Sequence, residues 1–105
     1  HVKAGDPSAV PAWFSALKNP VWQIRLDCAR GLALLAKPED IPQLIEGLSD
    51  ASAAVRTELD AALRRLSSLD FGFQGNAVEG ARREAVDRWK AWWRDNAYRF
   101  DLKAQ

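Results

Sequence analysis

The chain has one cysteine, one histidine, almost no net charge and no long apolar run. Each shortage closes a class of function. Cys28 alone excludes an intrachain disulfide and a multi-cysteine metal cluster, and it sits in the apolar pattern of a helix, where a free thiol behaves as a small hydrophobe. A terminal histidine such as His1 chelates copper only when a second histidine completes the site, and no zinc spacing occurs elsewhere. No histidine is placed to activate Cys28 as a nucleophile. Fifteen basic against fourteen acidic side chains give a formal charge of +1, so no global field draws nucleic acid or an anionic membrane. No stretch approaches the roughly 20 apolar residues that cross a bilayer, and no signal-peptide core is visible. The chain opens on His1 rather than Met, which implies a processed form, a tag remnant or an excised fragment and leaves localisation open. Neither a catalytic, cofactor or metal site nor membrane association is expected.

What is present is a repeat. The stretch from Val10 to Leu35 is followed, 31 positions on and without a gap, by a matching stretch from Ile41 to Leu66. Pro11 pairs with Pro42, Leu17 with Leu48, Arg25 with Arg56, Leu32 with Leu63 and Leu35 with Leu66. A fixed period is the signature of stacked units. Within a unit, Val10, Trp13, Phe14 and Leu17 and then Ile24, Cys28, Leu32 and Leu35 follow helical spacing, so each unit reads as a helical hairpin. Asp6 before Pro7 and Asn19 before Pro20 are expected as caps ahead of a first-turn proline, with Asp50 replacing Asn19 in the second unit. Glu39 and Asp40 after Pro38 place acid where it complements a helix dipole. The expected helices span about 7 to 18, 20 to 36, 38 to 48 and 51 to 68.

After Leu66 the period stops. Residues 69 to 79 read as a loop in which Phe71 and Phe73, on either side of Gly72, serve as anchors over the last repeat. From about 80 to 100, Ala85, Val86, Trp89, Trp92, Trp93, Asn96 and Phe100 share one side of a fifth helix. Burying such a stripe is worth roughly 2 to 3 kcal/mol for each large side chain, so this helix is expected to close the end of the stack. No comparable cap precedes Val10. Trp13, Trp22 and Leu26 are therefore expected at an open edge, which implies preceding repeats, or a monomer that self-associates weakly into a homodimer through its first repeat.

An amide or acid six positions before an arginine, an aliphatic residue just before that arginine, and small and apolar residues after it occur twice: Asn19, Ile24, Arg25, Ala29 and Leu32, then Asp50, Val55, Arg56 and Leu63. The pattern resembles the HEAT repeat over about two thirds of the chain, and the Phe loop with its W-x-x-W-W helix looks like the ending of some bacterial HEAT-repeat proteins. Two departures stand out, Asn19 where the family usually has Asp, and Asp60 where a small residue is common. The resemblance implies an all-α fold, a single domain over residues 1 to 105. It would be a short right-handed superhelix of two hairpins, about 7 to 36 and 38 to 68, plus a Trp-rich capping helix. It also implies that Arg25 pairs with Asp50, and Arg56 with groups near the Asp70 loop.

In that family the second helix of each hairpin lines the concave, binding face. Here this places Gln23, Leu26, Asp27 and Arg30 with Ala54, Thr57, Glu58, Ala61 and Arg65, a mix that suits a peptide or helix of a partner protein more than a polyanion. The expected function is a non-enzymatic protein-interaction or scaffold module. Asp27 and Glu58 occupy equivalent positions and could be read as an acid/base pair, but solvated side chains are the simpler reading. Residues 80 to 105 hold seven basic and four acidic side chains, and the flank of Arg83, Lys90 and Arg94 carries the alternative of nucleic-acid binding. Arg83 with Asp87, Glu84 with Arg88 and Asp95 with Arg99 are spaced to neutralise one another, which makes that alternative the weaker one. A third alternative is a purely structural terminal segment of a longer solenoid.

Overall fold

A computed structural model describes residues 7–100, and all their regular structure is helical. The helices of the two repeated units start in the same register. Helix α1 (Val10–Ala16) and helix α3 (Ile41–Gly47) each follow a short 3-10 turn and begin 31 positions apart, as do α2 (Trp22–Leu35) and α4 (Ala53–Ser67). Pro11 and Pro42 lie in first turns, where the missing N–H costs no hydrogen bond. Lys37 is extended ahead of Pro38, ending the first unit, and its N–H donates to Asp40 Oδ2 at 2.8 Å. Asp6 lies outside the described residues.

The long helices start later than the prolines and caps imply. Asn19 Oδ1 accepts from the N–H of Val21 at 2.8 Å, and Asp50 Oδ1 accepts from the N–H of Ser52 at 2.8 Å. Each makes a side-chain turn two residues before its helix rather than a cap on the helix itself. Val21 and Ser52 are the true cap positions, and only Ser52 has the hydroxyl to use, accepting from Val55 N–H at 3.4 Å.

Helix α1 packs on α2 and α3 on α4, and the most extensive contact runs between α2 and α4. Leu32, Leu44, Val55, Leu59 and Leu63 are fully buried between them. Gly47 lets α3 approach α4 closely, since a Cβ there would stand 2.5 Å from Cδ1 of buried Leu59. Arg65 Nε and Nη2 donate to the carbonyls of Ala33 and Ala36, both at 2.7 Å, satisfying the C-terminal end of α2.

Two arginines 31 residues apart tie the layers. Arg25 donates Nε and Nη2 to the Asp50 carboxylate at 2.9 and 3.1 Å, and Nη1 to the carbonyl of Asn19 at 2.9 Å. Arg56 repeats the last bond on the carbonyl of Asp50 at 2.6 Å, and sends Nε and Nη2 to the carbonyl of Gly75 at 2.9 and 2.6 Å. A loop carbonyl thus stands where a third unit would supply a carboxylate. This loop returns along α4. Asp70 Oδ1 accepts from Gly72 N–H at 2.8 Å, and Gly72 takes the left-handed φ of 78° that a side chain would resist.

Helix α5 (Glu79–Asn96) packs chiefly on α3 and closes with a 3-10 turn, Ala97–Phe100. Ala85, Val86 and Trp89 of the expected stripe are buried, while Trp92, Trp93 and Phe100 are half-buried. Phe71 meets Trp89 edge-on at 4.6 Å, Phe73 is buried, and Phe100 folds back to 5.7 Å from both Trp92 and Trp93. The loop phenylalanines are anchors. Of the pairs expected from spacing along α5, Glu84 with Arg88 forms, loosely, at 4.0 Å, whereas Arg83 pairs with Glu79 at 2.7 Å rather than with Asp87, Asp95 pairs with Arg94, and Arg99 lies over Tyr98.

Removing the Asp50 carboxylate leaves Arg25, whose side chain is only 12 % exposed, without its counter-charge. Asp50→Ala is expected to cost about 3 kcal/mol in urea unfolding. By the same measurement Gly47→Ala loses about 2 kcal/mol through overpacking against Leu59. Gly80→Ala, where a Cβ meets nothing within 4 Å, gains about 0.5 kcal/mol.

Candidate functional site

The outward side of α2 and α4 is set by the helical period, because the buried residues of each helix occupy one stripe and leave the other to water. Of the residues expected to bind a partner, Gln23, Asp27, Arg30, Ala54 and Thr57 are exposed. Leu26 packs against the core, and Glu58 and Ala61 are half-buried. Arg65 is exposed as well, with its guanidinium held on the carbonyls of Ala33 and Ala36. Thr57 Oγ1 donates to the carbonyl of Ala53 at 2.9 Å. Arg30 and Asp27 make only a loose pair at 3.9 Å.

The repeat identifies which edge of α2 is left without a layer. Val55 and Ala62 are fully buried, and Arg65 engages the end of α2. Their equivalents 31 residues earlier are Ile24, Gly31 and Leu34. Ile24 is 42 % exposed and Leu34 is 74 % exposed. Leu34 lies eleven residues from Gln23, about three helical turns, so Gln23, Asp27, Arg30 and Leu34 form one stripe. Trp22 and Val21 add exposed apolar surface at its start. Trp13 is not part of the open edge. Its indole is buried across Gly31, where a Cβ would meet the ring at 2.8 Å. Leu34 escaped attention in the sequence because it follows the stripe of polar residues rather than the apolar one.

A second surface lies between α3 and α5. Val86, Trp93, Pro42 and Ile45 floor a trough of about 370 Å³ edged by Lys90 and Arg94. Ser49, Val86 and Lys90 continue into a cavity of about 500 Å³ that reaches Arg56, Arg82 and Arg83. Burial first, and the neighbouring Arg82 second, pull the Arg56 guanidinium below its ordinary value, with Asp50 opposing. Arg82 Nε donates to the carbonyl of Ala77 at 3.0 Å.

Chemistry at the remaining titratable groups is restrained. Cys28 is buried, and burial, followed by the charge of Asp27, pushes its thiol up. Among the described residues no group of three or more His, Cys, Asp or Glu side chains could hold a metal ion, and no helix is long and apolar enough to cross a membrane.

Asp60 replaces the small residue of the first unit, Ala29, at a site that faces α5. Its Oδ1 accepts from Trp89 Nε1 at 3.3 Å and its Oδ2 pairs with Arg64 Nε at 3.0 Å. The signal in the sequence was an acid inside an apolar stripe, with indole donors on a later helix to satisfy it. Burial pushes the Asp60 carboxyl up, outweighing the opposing pull of Arg64 and the Trp89 bond, and Asp70 adds to the rise. The folded state therefore holds this proton more tightly than the unfolded chain. The stabilisation from protonated Asp60 is fully present below the ordinary carboxylate value of about 3.9 and is lost as pH rises through the raised folded value. Stability curves of the wild type and Asp60→Asn should diverge across that window, with the variant gaining relative stability as pH rises. Parallel curves would show that Asp60 is not raised.

No protein-family model, curated protein or solved structure matches this chain, so the reading of its function rests on its own residues.

Proposed function

We propose that the chain is a HEAT-like helical-repeat module, a short superhelix closed at one end by the Trp-rich helix, that binds a helix of a partner protein along the open edge of α2. The single observation that carries this reading is the inequality of equivalent positions: Val55 is fully buried and Arg65 donates to the end of α2, while their counterparts Ile24 and Leu34 are 42 % and 74 % exposed. A helix is the natural occupant, because a helix already fills the equivalent place against α4. Gln23, Asp27 and Arg30 supply the polar rim beside the apolar Leu34 and Ile24. Two further points support the reading. The arginine-to-turn bonds recur at the repeat period. Among the described residues no buried side-chain nitrogen or oxygen lacks a hydrogen-bond partner, so the frame is fixed before binding and less ordering is required on association.

A photo-crosslinking residue at Leu34 is expected to capture a protein partner, and the same residue at Glu84 on α5 is not. Leu34→Glu and Asp27→Arg should each abolish capture without shifting the melting temperature, since both side chains are exposed. Capture that survives both substitutions would remove this edge as the binding surface. Concentration-dependent dimers in light scattering, dispersed by Leu34→Glu, would identify the occupant as a second copy of the chain.

A further inference from the structure

The trough and cavity between α3 and α5 stand apart from the α2 edge and carry an imbalance of charge that the fold does not resolve. Around the cavity lie Arg56, Arg82, Arg83 and Lys90, faced by Asp50, Glu79 and Asp87. Asp50 is taken by Arg25, and Glu79 by Arg83. What remains is three cations against the single carboxylate of Asp87. Among the described residues Arg56, Arg82 and Lys90 form no ion pair; Arg56 and Arg82 donate instead to the carbonyls of Gly75, Asp50 and Ala77. A carbonyl satisfies hydrogen-bonding geometry but not charge.

We infer that this groove binds an acidic peptide segment, with a carboxylate of the peptide between Arg82 and Lys90 and an adjacent apolar side chain on Ile45, Val86 and Trp93. Three features select this ligand. The cavity opens directly into the apolar trough through shared Ser49, Val86 and Lys90, so one ligand must satisfy a cationic end and an apolar floor at once. The trough edge is itself mixed, with Glu46 on α3 facing Lys90 and Arg94 on α5. An excess of two charges matches one or two carboxylates, whereas a nucleic acid strand would require a longer basic track and would meet Asp87 and Glu46 along the way. Guanidinium and ammonium groups at one rim, with an aromatic and aliphatic floor, form the arrangement by which peptide grooves take acidic residues next to hydrophobic anchors.

The site is independent of the α2 edge and is tested separately. The probe is a short fluorescein-labelled peptide of Glu and Leu, titrated by anisotropy against the full chain, beside its Gln-for-Glu counterpart and a labelled single-stranded oligonucleotide. The Glu peptide is expected to bind and to weaken as salt rises, and the Gln peptide to bind at least about tenfold more weakly. Lys90→Glu, at an exposed position, should reduce affinity for the Glu peptide by about tenfold while leaving the thermal melt unchanged. Arg94→Glu provides a second exposed variant, with a smaller loss expected because it borders the trough and not the cavity. Amide chemical-shift changes should concentrate at Ser49, Val86 and Lys90. The inference is overturned if the Glu peptide does not bind, if the Gln peptide binds equally well, if Lys90→Glu binds as the wild type does, or if the shifts fall on Ile24 and Leu34. An oligonucleotide that binds more tightly than the peptide, and loses that binding with Lys90→Glu, would reassign the groove to nucleic acid.

Discussion

Asp50 is the group on which the arrangement of the chain depends. Its carboxylate takes two bonds from Arg25 in the preceding unit and one from the N–H of Ser52, and its carbonyl takes a bond from Arg56. One residue thereby fixes the turn that starts α4, the distance between α2 and α4, and the position of the guanidinium that holds the following loop. The geometry is favourable because the pair is bidentate and both side chains are nearly buried. Solvent screening that weakens surface pairs has little access to it.

The far side of α4 shows how the same frame ends. A third unit would present another acid to Arg56. Here the chain instead folds back, offers the carbonyl of Gly75, buries Phe73 by α4, and sets Phe71 edge-on to Trp89 of α5. Because a carbonyl carries no charge, Arg56 forms no ion pair among the described residues, only the longer-range attraction of Asp50, and Arg82 adds a second positive charge beside it. The basic cavity is therefore a consequence of how the repeat is terminated. Asp60 is the counterpart deeper in the same interface: it supplies an acceptor for the Trp89 indole, at the expense of burying a carboxyl.

Much of this was legible in the sequence. The 31-residue register gives the paired helices and the equivalence of Arg25 with Arg56, and the resemblance to HEAT repeats implied the bond from Arg25 to Asp50. The aromatic stripe marked α5, and the two phenylalanines marked the loop that returns to it. What stayed hidden has a common cause. Periodicity tells which side of a helix is apolar, but not which neighbour covers it. Trp13 looked like an edge residue because nothing in the pattern shows that Gly31 opens a space for its indole. The hold of Arg65 on α2 is not legible because its partners are backbone carbonyls, which every residue has. The start of α2 was misplaced because Asn19 and Pro20 form a turn of their own before the helix begins. The groove between α3 and α5 depends on the direction in which α5 runs, and the length of the loop alone does not set it.

That direction follows from residue order. Arg82 stands by Arg56 near the start of α4, and Trp89, seven residues on, reaches Asp60, four residues on. The two helices therefore run the same way, which the loop makes possible by returning the chain along the length of α4. Meanwhile Glu79 and Arg82 lie by Leu48 and Ser49 at the end of α3, while Trp93 and Arg94 lie by Pro42 at its start, so α5 runs against α3. A helix continuing the 31-residue register would instead have begun a third hairpin in the sense of α1 and α3. The reversal brings the cationic first turns of α5 to the Asp50 turn and its tryptophans to the opposite end of α3. Cationic and apolar surfaces are thus laid along one groove in a fixed order, and a ligand that reads both must approach with its own acidic and apolar groups in the matching order.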